Sequence, residues 1–271
     1  MPISPEITAI ESPYLSSTNT GLGNCLFQIA SAYGLGKKYT TDVFYDRVVE
    51  FGYKLNILYN YNHSDTIFRN FTKVGNCSYT PLQETMWRKY DTCLIDTIRN
   101  NKDISYILRG YLEVPEYFRE YSDELRDLLS PDDESRMYLQ ITYPYLFESR
   151  PTVAIHIRNY NELNTSIALV ESYYRKAIAK LESIHPNPFY IVFTDSNPDT
   201  IGFLEGKTYH IIKNKYDYLD LWCMSLCHHF ILSQSTFSYW GWFLNTRKEK
   251  VTIVPTLPTL HFYDGENVYT V

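Results

Sequence analysis

Thr152-Val153-Ala154-Ile155-His156-Ile157 is the stretch on which the fold of this chain turns. It is short, rich in β-branched and apolar side chains and opened by Pro151, which predicts a buried strand rather than a helix. Downstream, Ala168 to Leu181 carries apolar residues at helical spacing, and Phe189 to Thr194 is a second strand ending in Asp195-Ser196-Asn197-Pro198. Pro198 is placed to open a short helix. Tyr209 to Ile212, Phe230 to Ser233 and Val251 to Val254 continue the series as strands, with helices expected over Tyr218 to His228 and Phe237 to Asn245. Strands alternating with helices predict βαβ crossovers, a parallel doubly wound sheet and a Rossmann-like α/β domain.

The first half is patterned less regularly. Its best helix runs from Asn24 to Tyr39 behind Gly21-Leu22-Gly23. Ser105 to Leu108 reads as a strand, and Pro115 to Leu129 places Tyr117, Phe118, Tyr121, Leu125, Leu128 and Leu129 near helical spacing. Ser130-Pro131-Asp132-Asp133-Glu134 then offers an N-cap, a proline at the first helical position and first-turn acids, so a further helix is expected to about Tyr145. Residues 46 to 100 show no pattern. The turn-forming Ser149-Arg150-Pro151 divides the chain into an N-terminal α/β domain, 1–150, and a C-terminal Rossmann-like domain, 151–271.

The 271 residues are enough to bury a sizeable core, and 44% hydrophobic with 21% charged residues excludes a disordered chain. A net charge of -6 leaves no footprint for a nucleic acid, although a local cleft with one or two arginines can still hold a small anion. Aromatic residues reach 16%, which suits sugar-ring packing and equally a compositional bias toward Tyr. Cys25, Cys77, Cys93, Cys223 and Cys227 form no CxxC pair and are odd in number, arguing against a zinc knuckle or a complete disulfide framework and for reduced thiols. Met1-Pro2-Ile3-Ser4-Pro5 is no signal peptide, and no window of 18 apolar residues predicts a membrane span. These features lead us to expect a cytoplasmic protein of a microbe or of a virus-infected cell, unless the chain is a fragment of a membrane-anchored one. The sequence specifies no oligomeric state.

Open parallel sheets bind ligands at the carboxyl ends of their strands, and the candidate motifs fall there. Gly21, Gly23 and Asn24 precede a helix, where backbone N–H groups can approach an anion; the same residues suit an ordinary turn. His156 and Arg158 end the first strand of the second half on the same side. Arg158 suits either a diphosphate, gripped bidentately, or an interdomain salt bridge, and His156 either a ligand contact or a hydrogen-bonded core position. Asp195 could read the N1–H and N2–H₂ edge of guanine or cap the following helix. Ser235, Thr236, Phe237 and Ser238, where a buried strand meets a helix, could bind phosphate oxygens or simply cap that helix. Trp240 and Trp242 read as core.

Together these pieces resemble the inverting α-1,2-fucosyltransferases of glycosyltransferase family 11. Thr20-Gly21-Leu22-Gly23-Asn24-Cys25 looks like that family's Gly-Gly-Leu-Gly-Asn-Gln segment, and Gly110-Tyr111-Leu112-Glu113 is similar to its Gly-Tyr-Phe-Gln. His156-Ile157-Arg158-Asn159-Tyr160-Asn161 resembles its His-Ile-Arg-Arg-Gly-Asp, and Met224 to Gly241 resembles its longest signature, Met-Ser-x-Cys-x-His-x-Ile-x-x-Asn-Ser-Ser-Phe-Ser-Trp-Trp-Gly. The resemblance implies two Rossmann-like domains facing a cleft, of GT-B type, with the first on the acceptor side and the second on the donor side. It implies transfer of fucose from GDP-fucose to a glycan hydroxyl, with no metal and no further cofactor. On that analogy Arg158 holds the β-phosphate and assists departure of GDP, Asp195 reads guanine, His156 belongs to the donor site, and Ser235 to Ser238 with Gly21, Gly23 and Asn24 line the diphosphate.

Asn159 and Asn161 replace the second Arg and the Asp of the family's middle motif, Cys25 replaces Gln and Gln234 replaces Asn. Glu162 could stand in for the missing carboxylate, or be a solvated loop residue. Glu113, Glu116 and Glu162 are the candidate bases toward an acceptor hydroxyl. Two alternatives follow from the replaced residues: a transferase using another nucleotide deoxysugar, and a catalytically inactive glycan-binding homologue. A regulator using the Gly loop alone would leave the Met224 to Gly241 signature unexplained.

Overall fold

The computed structural model describes residues 3–5, 21–39, 65–71, 80–101, 103–158, 171–195, 201–256 and 262–271. The chain forms two compact units, Met1–Ser130 and Pro131–Val271.

The second unit is built on a six-stranded sheet of β4 (Thr152–Ile157), β5 (Phe189–Thr194), β6 (Tyr209–Ile212), β7 (His229–Ile231), β8 (Thr252–Val254) and β9 (Val268–Thr270). Its order is β6-β5-β4-β7-β8-β9 and every ladder is parallel. The chain therefore builds outward from β4 to one edge, returns to the middle at β7 and builds to the other. That reversal between β4 and β7 is a topological switch point, where two neighbouring connections leave in opposite directions and open a crevice at the strand ends.

β4 is buried at all six positions because helices cover a parallel sheet on both faces. Val153, Ile155, Val192, Ile231 and Ile253 of the strands pack with Tyr174, Ala177, Ile178 and Leu181 of α5 (Glu171–Glu182), one stripe of that helix. Its buried tyrosines also hold the carboxyl edge of the sheet. The Tyr173 hydroxyl lies 2.6 Å from the Leu232 carbonyl oxygen and 3.2 Å from that of Ile253, and Tyr174 donates to the His156 carbonyl. The helices α6 (Asp217–Leu226) and α7 (Thr236–Leu244) complete the unit, and Trp240 and Trp242 are core as expected.

The division between the units falls at Ser130 and Pro131, ahead of the Ser149–Pro151 turn, so α4 (Asp133–Thr142) belongs with the second sheet. Asn214 explains why. Its Oδ1 accepts from the hydroxyls of Tyr138 (3.0 Å) and Tyr143 (2.9 Å), while its Nδ2 donates to Asp220 Oδ1 (2.7 Å). Burial pushes the Asp220 carboxyl up to about 7 despite two hydrogen bonds from Asn214. The folded state thus holds a proton that the unfolded state releases, and stability falls as pH rises from the ordinary carboxylate range through about 7. Asp220→Asn, which cannot ionise, is expected to melt above the wild type at pH 8 by an amount that shrinks toward pH 5. Thermal melts across that range check this, and a gap independent of pH would refute it.

The first unit carries a three-stranded parallel sheet, order β1-β3-β2, from β1 (Ile3–Pro5), β2 (Thr80–Gln83) and β3 (Tyr106–Arg109). The helix α1 (Leu22–Tyr39) docks along Phe27, Gln28, Ser31 and Gly34 onto residues 110–118. Gln28 Nε2 donates to the Gly110 carbonyl at 2.8 Å and Ser31 Oγ to the Leu112 carbonyl at 2.9 Å. α2 (Thr92–Asn100) is capped by Asp91, which accepts from Leu94 N–H.

Two helices expected from sequence are shorter. Pro115 to Leu129 is two 3₁₀ turns, Pro115–Tyr117 and Arg119–Tyr121, before α3 (Ser122–Leu128). Phe118 leaves helical geometry at φ −131°, ψ −3°, and the Tyr117 hydroxyl is held by the Asp91 N–H at 2.9 Å. The helix expected from Ser130 to Tyr145 is capped by Asp132 rather than Ser130 and ends at Thr142, since Pro144 disfavours helical geometry in the residue before it. Among the described residues no helix is long and apolar enough to cross a membrane.

Candidate functional site

Three strand ends meet beside the switch point. β4 delivers His156 and Arg158, β5 delivers Asp195, and the turn after β7 delivers Ser233 to Ser235 and the N-terminus of α7. Arg158 Nη1 donates to Asp195 Oδ2, an ion pair across two adjacent strands whose side chains are 42% and 39% exposed. The pair lies wholly within the second unit.

His156 is 6% exposed, its Nδ1 is 2.6 Å from Ser233 Oγ, and its ring stacks on Phe237 with centroids 5.7 Å apart. Burial, with a smaller contribution from the Arg158 charge, lowers its pKa to about 3. At neutral pH it is an uncharged imidazole that fixes the Ser233 hydroxyl, and it is unsuited to proton transfer. This is the core-position alternative weighed from the sequence, now with a partner that spacing could not reveal.

Ser235 caps α7, its Oγ accepting from Phe237 N–H at 3.3 Å, and Ser235, Thr236 and Phe237 are half-buried at that terminus. Ser238 is fully buried, and its hydroxyl is directed at the Ser233 (3.1 Å) and Ser235 (2.9 Å) carbonyls. Its proton therefore ties the start of α7 to the turn before it. A helix start whose first residues are half-buried, behind the strand that neighbours the one carrying Arg158, is an arrangement able to hold an oxyanion.

The other expected residues belong to the first unit or fall outside the described residues. Gly21 precedes α1 in the first unit and its carbonyl accepts from Asn24 N–H (3.0 Å) and Cys25 N–H (3.2 Å), so Gly23 and Asn24 form the first helical turn. Glu113 is buried, 2.5 Å from Arg88 Nε, with burial raising its pKa against the opposing pull of that guanidinium. Glu116 is exposed beside Arg119. Glu162, Asn159 and Asn161 lie outside the described residues. Sequence reasoning assigned nothing to Arg88 and Glu84 and did not join Ser233 to His156, since all three owe their positions to contacts 25 or more residues away. Among the described residues no group of three or more His, Cys, Asp or Glu could hold a metal ion.

The chain is similar in fold to the fucosyltransferase NodZ from Bradyrhizobium, with a TM-score of 0.52 at 14% identity over 90% of this chain and 92% of that one. A second structure, NodZ alpha-1,6-fucosyltransferase co-crystallized with GDP, gives 0.53 at 14% identity over 90% and 91%. These likenesses establish the α/β, GT-B-type fold class expected from the sequence. In sequence the chain is 29% identical over 139 residues to the O-antigen biosynthesis glycosyltransferase WbnK of Escherichia coli, covering 48% of this chain and 45% of that protein. It is 26% identical over 166 residues to an alpha-1,2-colitosyltransferase of Escherichia coli, covering 54% of each. The chain thus spans about half the length of the curated relatives it matches. The profile of glycosyl transferase family 11 matches residues 21–271, nearly the whole chain, and the chain belongs to that family.

Proposed function

We propose that the chain is an inverting fucosyltransferase that moves fucose from GDP-fucose to a glycan hydroxyl, forming an α-1,2 linkage to a terminal galactoside. The observation that carries this reading is the Arg158–Asp195 pair spanning the carboxyl ends of β4 and β5, one strand from the switch point and from the start of α7. A departing nucleoside diphosphate carries concentrated negative charge, and a guanidinium beside helix-terminal amides meets it with preformed complementarity. In this reading Arg158 takes the β-phosphate and Asp195 the guanine edge, without a metal ion. Ser235, Thr236 and Phe237 supply amides to the diphosphate, and His156 positions Ser233 from beneath. The NodZ structures named for GDP and GDP-fucose support the choice of nucleotide, and the colitosyltransferase supports the 1,2 linkage.

That same relative's name favours a second reading, a nucleotide-linked donor sugar other than fucose. The test common to both is a thermal-shift panel of GDP, UDP, dTDP, ADP and CMP, since a ligand that binds only the native state raises its stability. Stabilisation is expected with GDP alone, weakened in Asp195→Ala and in Arg158→Ala. Equal stabilisation by ADP and GDP, or a GDP shift unchanged in Asp195→Ala, would remove the guanine-reading role. Given a GDP shift, turnover of GDP-fucose against another GDP-linked deoxysugar decides the donor.

A further inference from the structure

A diphosphate met by Arg158 and by the start of α7 needs two strand ends held at a fixed spacing. The ladder between those strands does not reach far enough to hold them. It ends at Ile155↔Ile231, before His156 and Leu232, so β4 and β7 part at the switch point just where the candidate groups begin. The first turn of α5 grips both ends. Tyr173 Oη lies 2.6 Å from the Leu232 carbonyl oxygen, and Tyr174 Oη donates to the His156 carbonyl at 3.2 Å. Leu232 precedes Ser233 and the turn into α7, while His156 precedes Ile157 and Arg158. Neighbouring residues of a helix point about 100° apart, which lets two adjacent tyrosines serve two different strands.

The contacts close on themselves. His156 Nδ1 is 2.6 Å from Ser233 Oγ, so the two strand ends are joined to each other as well as to α5. The Ser233 carbonyl in turn accepts from Ser235 N–H at 3.0 Å, which passes the constraint to the cap of α7. The rings are seated independently of the hydroxyls. Tyr174 stacks on Phe203 with centroids 4.8 Å apart, and Tyr173 meets the edge of Tyr174 at 5.0 Å. Both side chains are buried, and burial raises the Tyr173 pKa well above the ordinary phenol value, so its hydroxyl keeps its proton. A phenylalanine at either position would fill the same space without burying a hydroxyl, which is unfavourable unless a hydrogen bond compensates. Packing therefore accounts for the rings, and the hydroxyls are accounted for by what they hold.

We propose that Tyr173 and Tyr174 are positioning residues of the donor site: Tyr173, through Leu232 and Ser233, sets the start of α7, and Tyr174, through His156, sets Arg158. This rests on the reading above, in which those two groups meet one diphosphate. The test is titration calorimetry of the full chain with GDP and with inorganic pyrophosphate. It compares the wild type, Tyr173→Phe, Tyr174→Phe, Tyr190→Phe, Arg158→Ala and the double variant Tyr174→Phe/Arg158→Ala, each also melted without ligand. Tyr190→Phe is the control, because it removes another buried hydroxyl bond of the same sheet, 2.9 Å to Glu182 Oε1, at the amino end of β5. Tyr173→Phe and Tyr174→Phe are each expected to weaken both ligands about fivefold, the usual effect of losing one hydrogen bond. Tyr190→Phe, with a similar drop in melting temperature, binds as the wild type does. In the Arg158→Ala background Tyr174→Phe adds no further loss, since the group it positions is gone. Affinity unchanged in Tyr173→Phe or in Tyr174→Phe, an equal loss in Tyr190→Phe, or a full second loss in the double variant overturns the proposal. A wild type that binds neither ligand overturns it together with the donor reading. Pyrophosphate bound as tightly as GDP removes guanine recognition alone and leaves both tyrosine assignments standing.

Discussion

Gly34→Ala is expected to lower the melting temperature of the first unit by roughly 10 °C, corresponding to about 3 kcal/mol for a unit of this size. Helix propensity argues for the opposite sign, since alanine in a helix interior is favoured over glycine by about 1 kcal/mol. Contact geometry outweighs it. A methyl group on Gly34 would lie 2.1 Å from the Tyr117 carbonyl oxygen, 2.6 Å from Phe118 Cα and 2.9 Å from Phe118 Cβ. Two of those atoms are backbone and neither residue can yield easily: Tyr117 is held through its hydroxyl by Asp91 N–H, and Phe118 is fully buried against Phe27. Relief requires α1 to back away from residues 115–118. That movement would draw Gln28 and Ser31 off the carbonyls of Gly110 and Leu112, loosening the loop that positions Glu113. Gly202→Ala, where an added methyl group meets nothing within 4 Å, is the control and is expected to melt with the wild type. Circular-dichroism melts of the two variants decide the matter; coincident curves for Gly34→Ala and wild type would show that α1 is not in the contact described.

The uneven legibility of the sequence has a physical basis in these same contacts. β4, β5 and β8 are central or near-central strands of a parallel sheet, so their sequences are continuous apolar runs that need no partner to be recognised. β2 is exposed at three of its four positions and β9 is half-exposed at an edge, so neither carries a burial pattern to read. Periodicity over Pro115 to Leu129 was real but described the wrong helix type, because 3₁₀ turns can also bury residues spaced three apart, and Tyr117 and Phe118 are fixed by partners distant in sequence. The site divides along the same line. Arg158, Asp195 and Ser235 are visible because strand ends and helix caps are local features, whereas the union of Arg158 with Asp195 spans 37 residues and that of His156 with Ser233 spans 77. Trp87 is the extreme case. Nothing around it reads as a strand or a helix, and its fixed position emerges only when Arg88 and Glu113, 25 residues apart, close on each other.

The second large effect concerns chemistry rather than stability. If the proposed transfer reading holds, Arg158→Ala is expected to lower kcat for fucosyl transfer about 10²- to 10³-fold, the usual consequence of removing one preorganised group that stabilises charge developing in a transition state. The melting temperature should move by no more than about 2 °C, because an ion pair this exposed is screened by water and contributes little to folding. The contrast between the two readouts is what identifies the role. A residue whose importance is structural would lose both together. Arg158→Lys restores the charge but not the planar fork, so it should recover only part of the rate. Asp195→Asn separates the partner's contribution: if Asp195 reads the base, the variant loses discrimination between GDP and ADP while keeping Arg158 near the diphosphate. If it only orients Arg158, discrimination survives and kcat falls. Steady-state kinetics with limiting and saturating donor distinguish the remaining case, since a contact made equally in the ground and transition states raises KM and leaves kcat alone. Transfer by Arg158→Ala at the wild-type rate under limiting donor would exclude the leaving-group role, and the cation for the departing diphosphate would have to be sought outside β4.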